Sequence, residues 1–571
     1  MITMKNSLLF IAVFTGSINV FAQQNIRLNQ VGFYPSSEKI AVDVADTSGS
    51  FEVLDKNSSL VLKSKIAIST RPALSGKRTG ILDFSVLKKP GTYTLKTASG
   101  QSYPFTISKD VYMNAGKAAI KAFYYQRASI ELTSQYAGKW ARKTGHPDNK
   151  VLIHSSAADA KRPEGTVVSA SRGWYDAGDY NKYIVNSGIT MGTLLSLYED
   201  FPAYFKHLDL NIPESKNQLP DILDEVLWNL RWMLAMQDPN DGGVYHKLTN
   251  AKFDAMVMPD KSQAEPRYIV QKGTAATLDF AAVCAQAARI LKNFDKELPG
   301  LSDSCLNASE RAWLWAQSNR DVVYDQDKMN KTFQPPIVTG AYGDHSFSDE
   351  FNWAAAELYV TTKKQEYISA INLNADLSLP NWAQVNMLAV YSLLRAGAKV
   401  KPGVKEKFLQ FASNLIKEAD QTAYKTVMGQ TARDFNWGSS SNAANQGIAC
   451  INAFLISKDR KYLAYAQSNV DYLLGRNGTG YSYETGVGSK PVMHPHHRPS
   501  VADDIIEPIP GLLSGGPNPG MQDGVKVPSL IPDEAFIDDD RAYACNEIAI
   551  NWNAPLVYLV NALQVLQKQI K

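Results

Sequence analysis

The sequence predicts two folds in tandem. A small all-β sandwich of immunoglobulin-like size spans residues 24–108, and a large all-α domain runs from residue 113 to the end of the chain at residue 571. Three observations carry this reading. The first stretch consists of short runs rich in β-branched and aromatic residues, punctuated by turn residues. From residue 113 the apolar residues recur at helical spacing, in about twelve stretches. No strand-like runs interleave with those helices, so the second domain reads as helical hairpins closed into a toroid or stacked as a solenoid. The lack of a sequence repeat disfavours a regular solenoid.

In chain order, residues 1–22 form an export signal. Lys5 precedes the apolar run Leu8 to Phe14, and Val20, Phe21 and Ala22 supply a small-residue cleavage site before Gln23. That run is too short to span a membrane, and no later stretch is long and apolar enough to be a span. The mature chain is expected in the periplasm or outside the cell. The strand candidates are Ile26 to Asn29, Lys39 to Val44, Phe51 to Leu54, Gly80 to Phe84, Thr92 to Lys96 and Tyr103 to Ile107. The helical part begins with Ala115 to Tyr136. Its clearest member is Pro220 to Gln237, where Pro220 suits the first turn and Asp221 and Asp224 suit the N-terminal dipole. Further helices are expected near 187–200, 274–292, 303–317, 350–362, 364–373, 381–397, 404–418, 442–456, 460–474 and 547–568.

A formal charge of +3, with no basic run, gives no footing for nucleic acid. The four cysteines lack metal-ligand spacing. In an oxidising compartment Cys284 and Cys305 are one candidate bridge, and buried free thiols are the alternative. Ten Trp and twenty-seven Tyr allow for sugar-stacking platforms, although most such residues fill cores.

Three clusters carry chemistry. In Trp174-Tyr175-Asp176-Ala177-Gly178-Asp179 two carboxylates stand three residues apart, with Gly178 permitting a tight turn. Crowded acids have their pKa values pushed apart, which makes one a general base beside a carboxylate that holds a water. The alternatives are an acidic surface turn or a calcium loop. His494, His496, His497 and Arg498 form a donor-rich loop for hydroxyls or a carboxylate, and Pro495 interrupts any metal cage. Glu547 stands at an expected helix start among apolar and aromatic residues, where a carboxyl can stay protonated near neutral pH; a helix cap is the alternative. Two opposed carboxyl groups are what glycosidic cleavage needs.

Two signatures resemble glycoside hydrolase family nine, mainly β-1,4-glucanases. Phe536, Asp538, Tyr543, Glu547, Ala549, Asn553 and Ala554 fit the family's C-terminal signature, and Gly488, Lys490, Pro495, His496 and Arg498 fit its His signature. Glu484 departs, standing where the family usually has an apolar residue. The likeness spans roughly residues 113–568. It implies an (α/α)6 barrel behind an immunoglobulin-like domain, and inversion at the anomeric centre. Carried over residue by residue, it makes Asp179 the general base, Asp176 the holder of the water and Glu547 the general acid, with Asp538 in the same active-site signature. His496 and Arg498 are expected at the sugar near the scissile bond, with Trp174, Tyr543 and Trp437 as sugar platforms.

No cofactor is expected for the chemistry. The family's zinc site is rejected, because Ala128 follows Arg127 and no Cys lies in that region. A structural calcium is expected at Asp349 and Glu350, although Ala383 after Trp382 replaces the third acidic ligand; the alternative for the pair is N-terminal charge on a helix. The leading reading is a secreted or periplasmic, endo-acting inverting glucanase on a β-linked polysaccharide. The alternatives are an exo-acting β-glycosidase on glucosamine or cello-oligosaccharides, and a glycan-binding protein with a dead site.

Overall fold

A computed structural model describes residues 24–262, 266–399 and 402–570 of the chain. The export signal expected at residues 1–22 lies outside the described residues.

The N-terminal part is a pair of sheets. One has the strand order Ile26–Arg27, Ile40–Asp43, Gly80–Asp83, Ala67–Ile68. The other runs Gly32–Phe33, Phe105–Ile107, Gly91–Thr97, Ser50–Asp55, Leu60–Lys65, with Gly100–Gln101 paired onto Gly91–Thr97. Phe51 and Val53 alternate inward along their strand. Phe33 meets Phe84 and Phe105 edge-on, at ring centroid distances of 5.3 and 5.6 Å. Leu60–Lys65 carries no buried stripe because it lies at a sheet edge, which is why no apolar alternation marks it in the sequence.

Behind the sandwich, six helices contact one another in a closed cycle. Ile184–Asp200 packs on Thr274–Leu291, followed in turn by Ser348–Thr362, Asn386–Arg395, Ser439–Ser457 and Ile550–Leu566, which returns to Ile184–Asp200. Apart from Arg289, all of Thr274–Leu291 is buried, as befits a helix covered on every side. Other helices pack against this ring: Met113–Tyr125, Asp221–Ala235, Leu301–Ser318, Gln365–Ala370, Val404–Ile416 and Lys461–Leu473. Val404–Ile416 buries only Phe408, Ala412 and Ile416, a single stripe at fourfold spacing.

The helical part does contain strands, contrary to the sequence reading. Val167–Val168, Val151–Ile153, Arg267–Ile269, Lys247–Asn250 and Lys182–Tyr183 form one sheet in that order. These strands are too short to show a period, and Lys247–Asn250 is polar yet buried throughout, so no pattern announced it. The first expected helix ends at Tyr125 rather than Tyr136. The last begins at Ile550, leaving Glu547 in extended backbone (φ −69°, ψ 158°) just after the short helix Tyr543–Asn546 instead of at a helix start. No disulfide joins Cys284 and Cys305; all four cysteines are buried free thiols.

The sandwich docks on the helical part through polar contacts. The Gln30 amide donates to the Gly480 carbonyl at 3.0 Å and accepts from the Ser489 and Lys490 amides at 2.9 and 2.7 Å. Asn29 donates to Asp471 at 2.8 Å and to the Tyr112 hydroxyl at 2.9 Å.

Candidate active site

The three clusters meet through their backbones. The Ile550 N–H donates to the Asp176 carbonyl at 2.8 Å, and Ala177 pairs with Ala549. The His496 N–H donates to the Asn546 carbonyl at 2.9 Å, the Arg498 N–H donates to the Gly178 carbonyl at 3.1 Å, and His496 pairs with Glu547. Extended segments thereby lie side by side and aim their side chains into one cavity of about 890 Å³. The glycine between the acids is required for close approach rather than for its dihedrals. A Cβ on Gly178 would stand 2.2 Å from the His496 carbonyl oxygen.

Asp176, Asp179, His496, Arg498, Tyr543, Glu547 and Trp437 line this cavity. Asp176 is fully engaged: Asn186 Nδ2 donates to both of its oxygens at 3.0 and 2.9 Å, and the Tyr342 hydroxyl donates at 3.3 Å. On Asp179, Asn181 Nδ2 binds Oδ2, while Oδ1 has no protein partner. Burial raises all three acids. Asp176 is pushed well up by burial and then by Asp179. Glu547 is pushed well up by burial and then by Asp179 and Asp176. Asp179 is raised by burial too, but Arg498, the Asn181 hydrogen bond, Arg267 and Lys247 pull it back. The environment therefore pushes Asp176 and Glu547 well up and restrains the rise of Asp179 with neighbouring cations and an amide. His496 Nδ1–H donates to the Asp540 carbonyl at 2.6 Å, and burial lowers the ring's pKa, which favours the neutral imidazole.

Other expected site residues lie elsewhere or act differently. Trp174 is fully buried against Phe123 at a 4.7 Å ring centroid distance, so no sugar reaches its face. His497 is also fully buried, its Nε2 at 2.9 Å from Gln126 Oε1 and its Nδ1 at 2.9 Å from Ser500 Oγ, and it fastens the loop rather than meeting substrate. Asp538 stays off the cavity. It accepts the Met493 and His494 amides at 2.9 and 2.8 Å and Asn546 Nδ2 at 3.2 Å, bonds that brace the histidine loop. Arg498 lines the cavity, but its guanidinium donates to the Gly178, Asp254 and Ala255 carbonyls, tying two loops together. Trp437 and Tyr543 stand 5.6 Å apart on one wall.

Opposite groups were missed in the sequence. Tyr342 and Trp382 line the cavity as an edge-on pair at 5.3 Å, and Phe253 joins them at the wall. No motif marks them, since each arrives on a separate loop.

At the expected calcium position, burial and then Asp279, Asp349 and Asp344 push Glu350 well up. Burial, Asp349 and Asp344 do the same to Asp279, neither of whose oxygens has a hydrogen-bond partner. Oxygen donors suit a hard cation. However, Asp349 Oδ2 is taken by the Val385 amide at 2.8 Å, and among the described residues no three His, Cys, Asp or Glu side chains gather around one point. As they stand, Asp349 and Glu350 do not complete a calcium cage.

The sequence resembles known proteins over nearly its whole length. Residues 22–102 match the cellulase N-terminal ig-like domain. A xyloglucan-specific endo-beta-1,4-glucanase of Bacteroides ovatus is 46% identical over 563 residues, covering 97% of this chain and 96% of the relative. Endoglucanase D of Acetivibrio thermocellus is 32% identical, covering 93% and 82%. A solved structure described as Bacteroides ovatus GH9 superposes with a TM-score of 0.90 at 44% identity, covering 95% of this chain and 99% of that one. Residues 112–560, which bring Asp176, Asp179 and Glu547 into one cavity, match glycosyl hydrolase family 9, and the chain belongs to that family.

Proposed function

We propose that this enzyme is an endo-acting β-1,4-glucanase that inverts the anomeric centre, with Asp179 as general base, Asp176 as a second holder of the water and Glu547 as general acid. The observation that carries the reading is the division of protons in the cavity. Glu547 is pushed well up by burial and the two aspartates, while Arg498, Asn181, Arg267 and Lys247 offset part of the rise that burial gives Asp179, whose Oδ1 is free of protein partners. Glu547 gives its proton to the leaving glycosidic oxygen as Asp179 takes one from the attacking water. Both events belong to a single displacement, so a β-linked substrate yields an α-anomer. Trp437 and Tyr543 on one wall, with Tyr342 and Trp382 on another, supply aromatic faces against which pyranose rings stack.

Finer features belong to the same proposal. The six-helix cycle with its outer helices is the frame of an (α/α)6 barrel, residues 24–108 are the immunoglobulin-like domain, and residues 113–571 are the hydrolase domain. No helix among the described residues is long and apolar enough to cross a membrane, and residues 1–22 direct the enzyme to the periplasm or beyond. The preferred glucan is xyloglucan, supported by the name of the Bacteroides ovatus relative at 46% identity.

Time-resolved NMR of cello-oligosaccharide hydrolysis tests the mechanism, and viscosity against reducing ends on xyloglucan, mixed-linkage glucan and carboxymethylcellulose tests substrate and mode. The α-anomer should appear first, and viscosity should fall early and most steeply on xyloglucan. An initial β-anomer sinks the inverting mechanism, and steady release of one small sugar with little loss of viscosity sinks endo action.

A further inference from the structure

Lys247 is a buried lysine that the chemistry above leaves unused. It opens the strand Lys247–Asn250 and is fully buried. Its ammonium donates to Gln326 Oε1 at 2.7 Å, the Thr339 hydroxyl at 3.0 Å and the Gly340 carbonyl at 2.6 Å, a full set of three acceptors. It faces the rings of Tyr183 and Tyr324, with centroids at 5.4 and 5.5 Å. All three acceptors are neutral. Burial holds its pKa well below the ordinary lysine range, and only the charge of Asp179 opposes this, so a lysine placed here calls for a reason.

A hydrogen-bonded chain supplies one. The Thr339 and Thr249 hydroxyls are 2.6 Å apart. The Thr249 hydroxyl lies 2.9 Å from Asn181 Oδ1, which also accepts the Asn250 amide at 2.9 Å. Asn181 Nδ2 then binds Asp179 Oδ2. Each hydroxyl has one proton, and Lys247 as an ammonium only donates. The Thr249 proton has two acceptors in reach, Asn181 Oδ1 and the Asn250 carbonyl at 2.8 Å; along the arm through Asn181 the donors run Lys247 to Thr339, Thr339 to Thr249, Thr249 to Asn181, Asn181 to Asp179. Such a chain polarises in one direction, so the carboxylate meets an amide strengthened from behind. The amide can present its N–H₂ to Asp179 only while its oxygen is held by Thr249 and Asn250.

We infer that Lys247 is a positioning residue for hydrolysis, which acts through Thr339, Thr249 and Asn181 to lock Asp179 with Oδ2 engaged and Oδ1 left without a protein partner. This rests on the reading of Asp179 as the base. A second arm of the same ammonium holds the carbonyl of Gly340, two residues before Tyr342, whose hydroxyl donates to Asp176. One buried cation thus sets the attitude of both aspartates. It also adds positive potential at Asp179. The other ionisable groups facing Asp179 are Arg498 and Arg267, which favour its charge, Asp176 and Glu547, which oppose it, and Tyr183, whose hydroxyl donates to Oδ2 at 3.5 Å.

Lys247→Met and Thr249→Val test the inference, with pH profiles of kcat and kcat/KM on a soluble glucan and thermal unfolding as a check on folding. Lys247→Met removes the charge and all three donors, while Thr249→Val breaks the chain and leaves the charge. In both, kcat should fall, by up to about 10²-fold in Lys247→Met, while KM changes less than twofold. The acidic limb should move to higher pH in Lys247→Met and less in Thr249→Val. A folded Lys247→Met with wild-type kcat and an unmoved acidic limb overturns the inference. If Lys247→Met fails to fold, an unchanged kcat in Thr249→Val overturns it alone. Asp179→Asn separates the two levels: if that variant keeps its activity, the base assignment fails, whereas an inactive Asp179→Asn beside unaffected Lys247→Met and Thr249→Val defeats only the role given to Lys247.

Discussion

Glu547 holds its proton first because burial disfavours the charge, and then because Asp179 and Asp176 share its cavity. Two expectations follow from this residue. Removing the proton donor with Glu547→Gln should cost about 10²–10⁴-fold on poor leaving groups, while a glycosyl fluoride, which needs little protonation, keeps most of its rate. Asp179→Asn should lose both substrates alike, because the water stays unactivated. Equal damage from Glu547→Gln on both substrates would show that Glu547 is not the acid. The three acids were legible in the sequence because they sit in dense motifs, and the cavity gathers all three. Trp174 and His497 were misplaced for the opposite reason. Residue type does not reveal burial, and both are fully enclosed. Tyr342 was invisible because its bond to Asp176 joins residues 166 apart in the chain.

Helices were legible wherever one face is apolar, as in Asp221–Ala235, whereas the five-stranded sheet left no trace because strands of two to four residues carry no period. The same helix shows where local rules yield. Asp221 and Asp224 lie in its first turn, where the dipole favours a carboxylate. Burial wins at Asp224 and raises it to about 7, with the Asn217 hydrogen bond only partly opposing. A carboxyl raised on folding contributes stability that is complete below its unfolded pKa of about 4 and is lost as pH rises towards the folded value. Asp224→Asn should therefore flatten the stability profile between about pH 4 and 7 and raise the unfolding temperature at pH 8. A variant that melts lower than wild type at pH 8, with the slope intact, would place the titration elsewhere.

At the scale of the molecule, the sandwich is more than an attached module. Gln30 satisfies the Ser489 and Lys490 amides and the Gly480 carbonyl, and Lys490 lies at the root of the loop that carries His496. Gln30→Ala strands these backbone groups at a buried interface and should cost about 2–3 kcal/mol in urea unfolding. An unchanged midpoint would mean that water replaces the side chain at no cost. The domain pair itself was legible from composition and period, but not the seam, because polar docking contacts look like ordinary surface residues.

The backbone seam between Asp176–Gly178, His496–Arg498 and Asn546–Ile550 also fixes an order of events in biosynthesis. A ribosome delivers both aspartates well before Glu547, so the Asp176 carbonyl waits for Ile550 while the helices between them are made. Contacts of such separation close late, after local helices have formed. The nascent chain thus carries its aspartates without a working site until Glu547 and the helix Ile550–Leu566 arrive. Catalytic competence itself reports that this helix has been made.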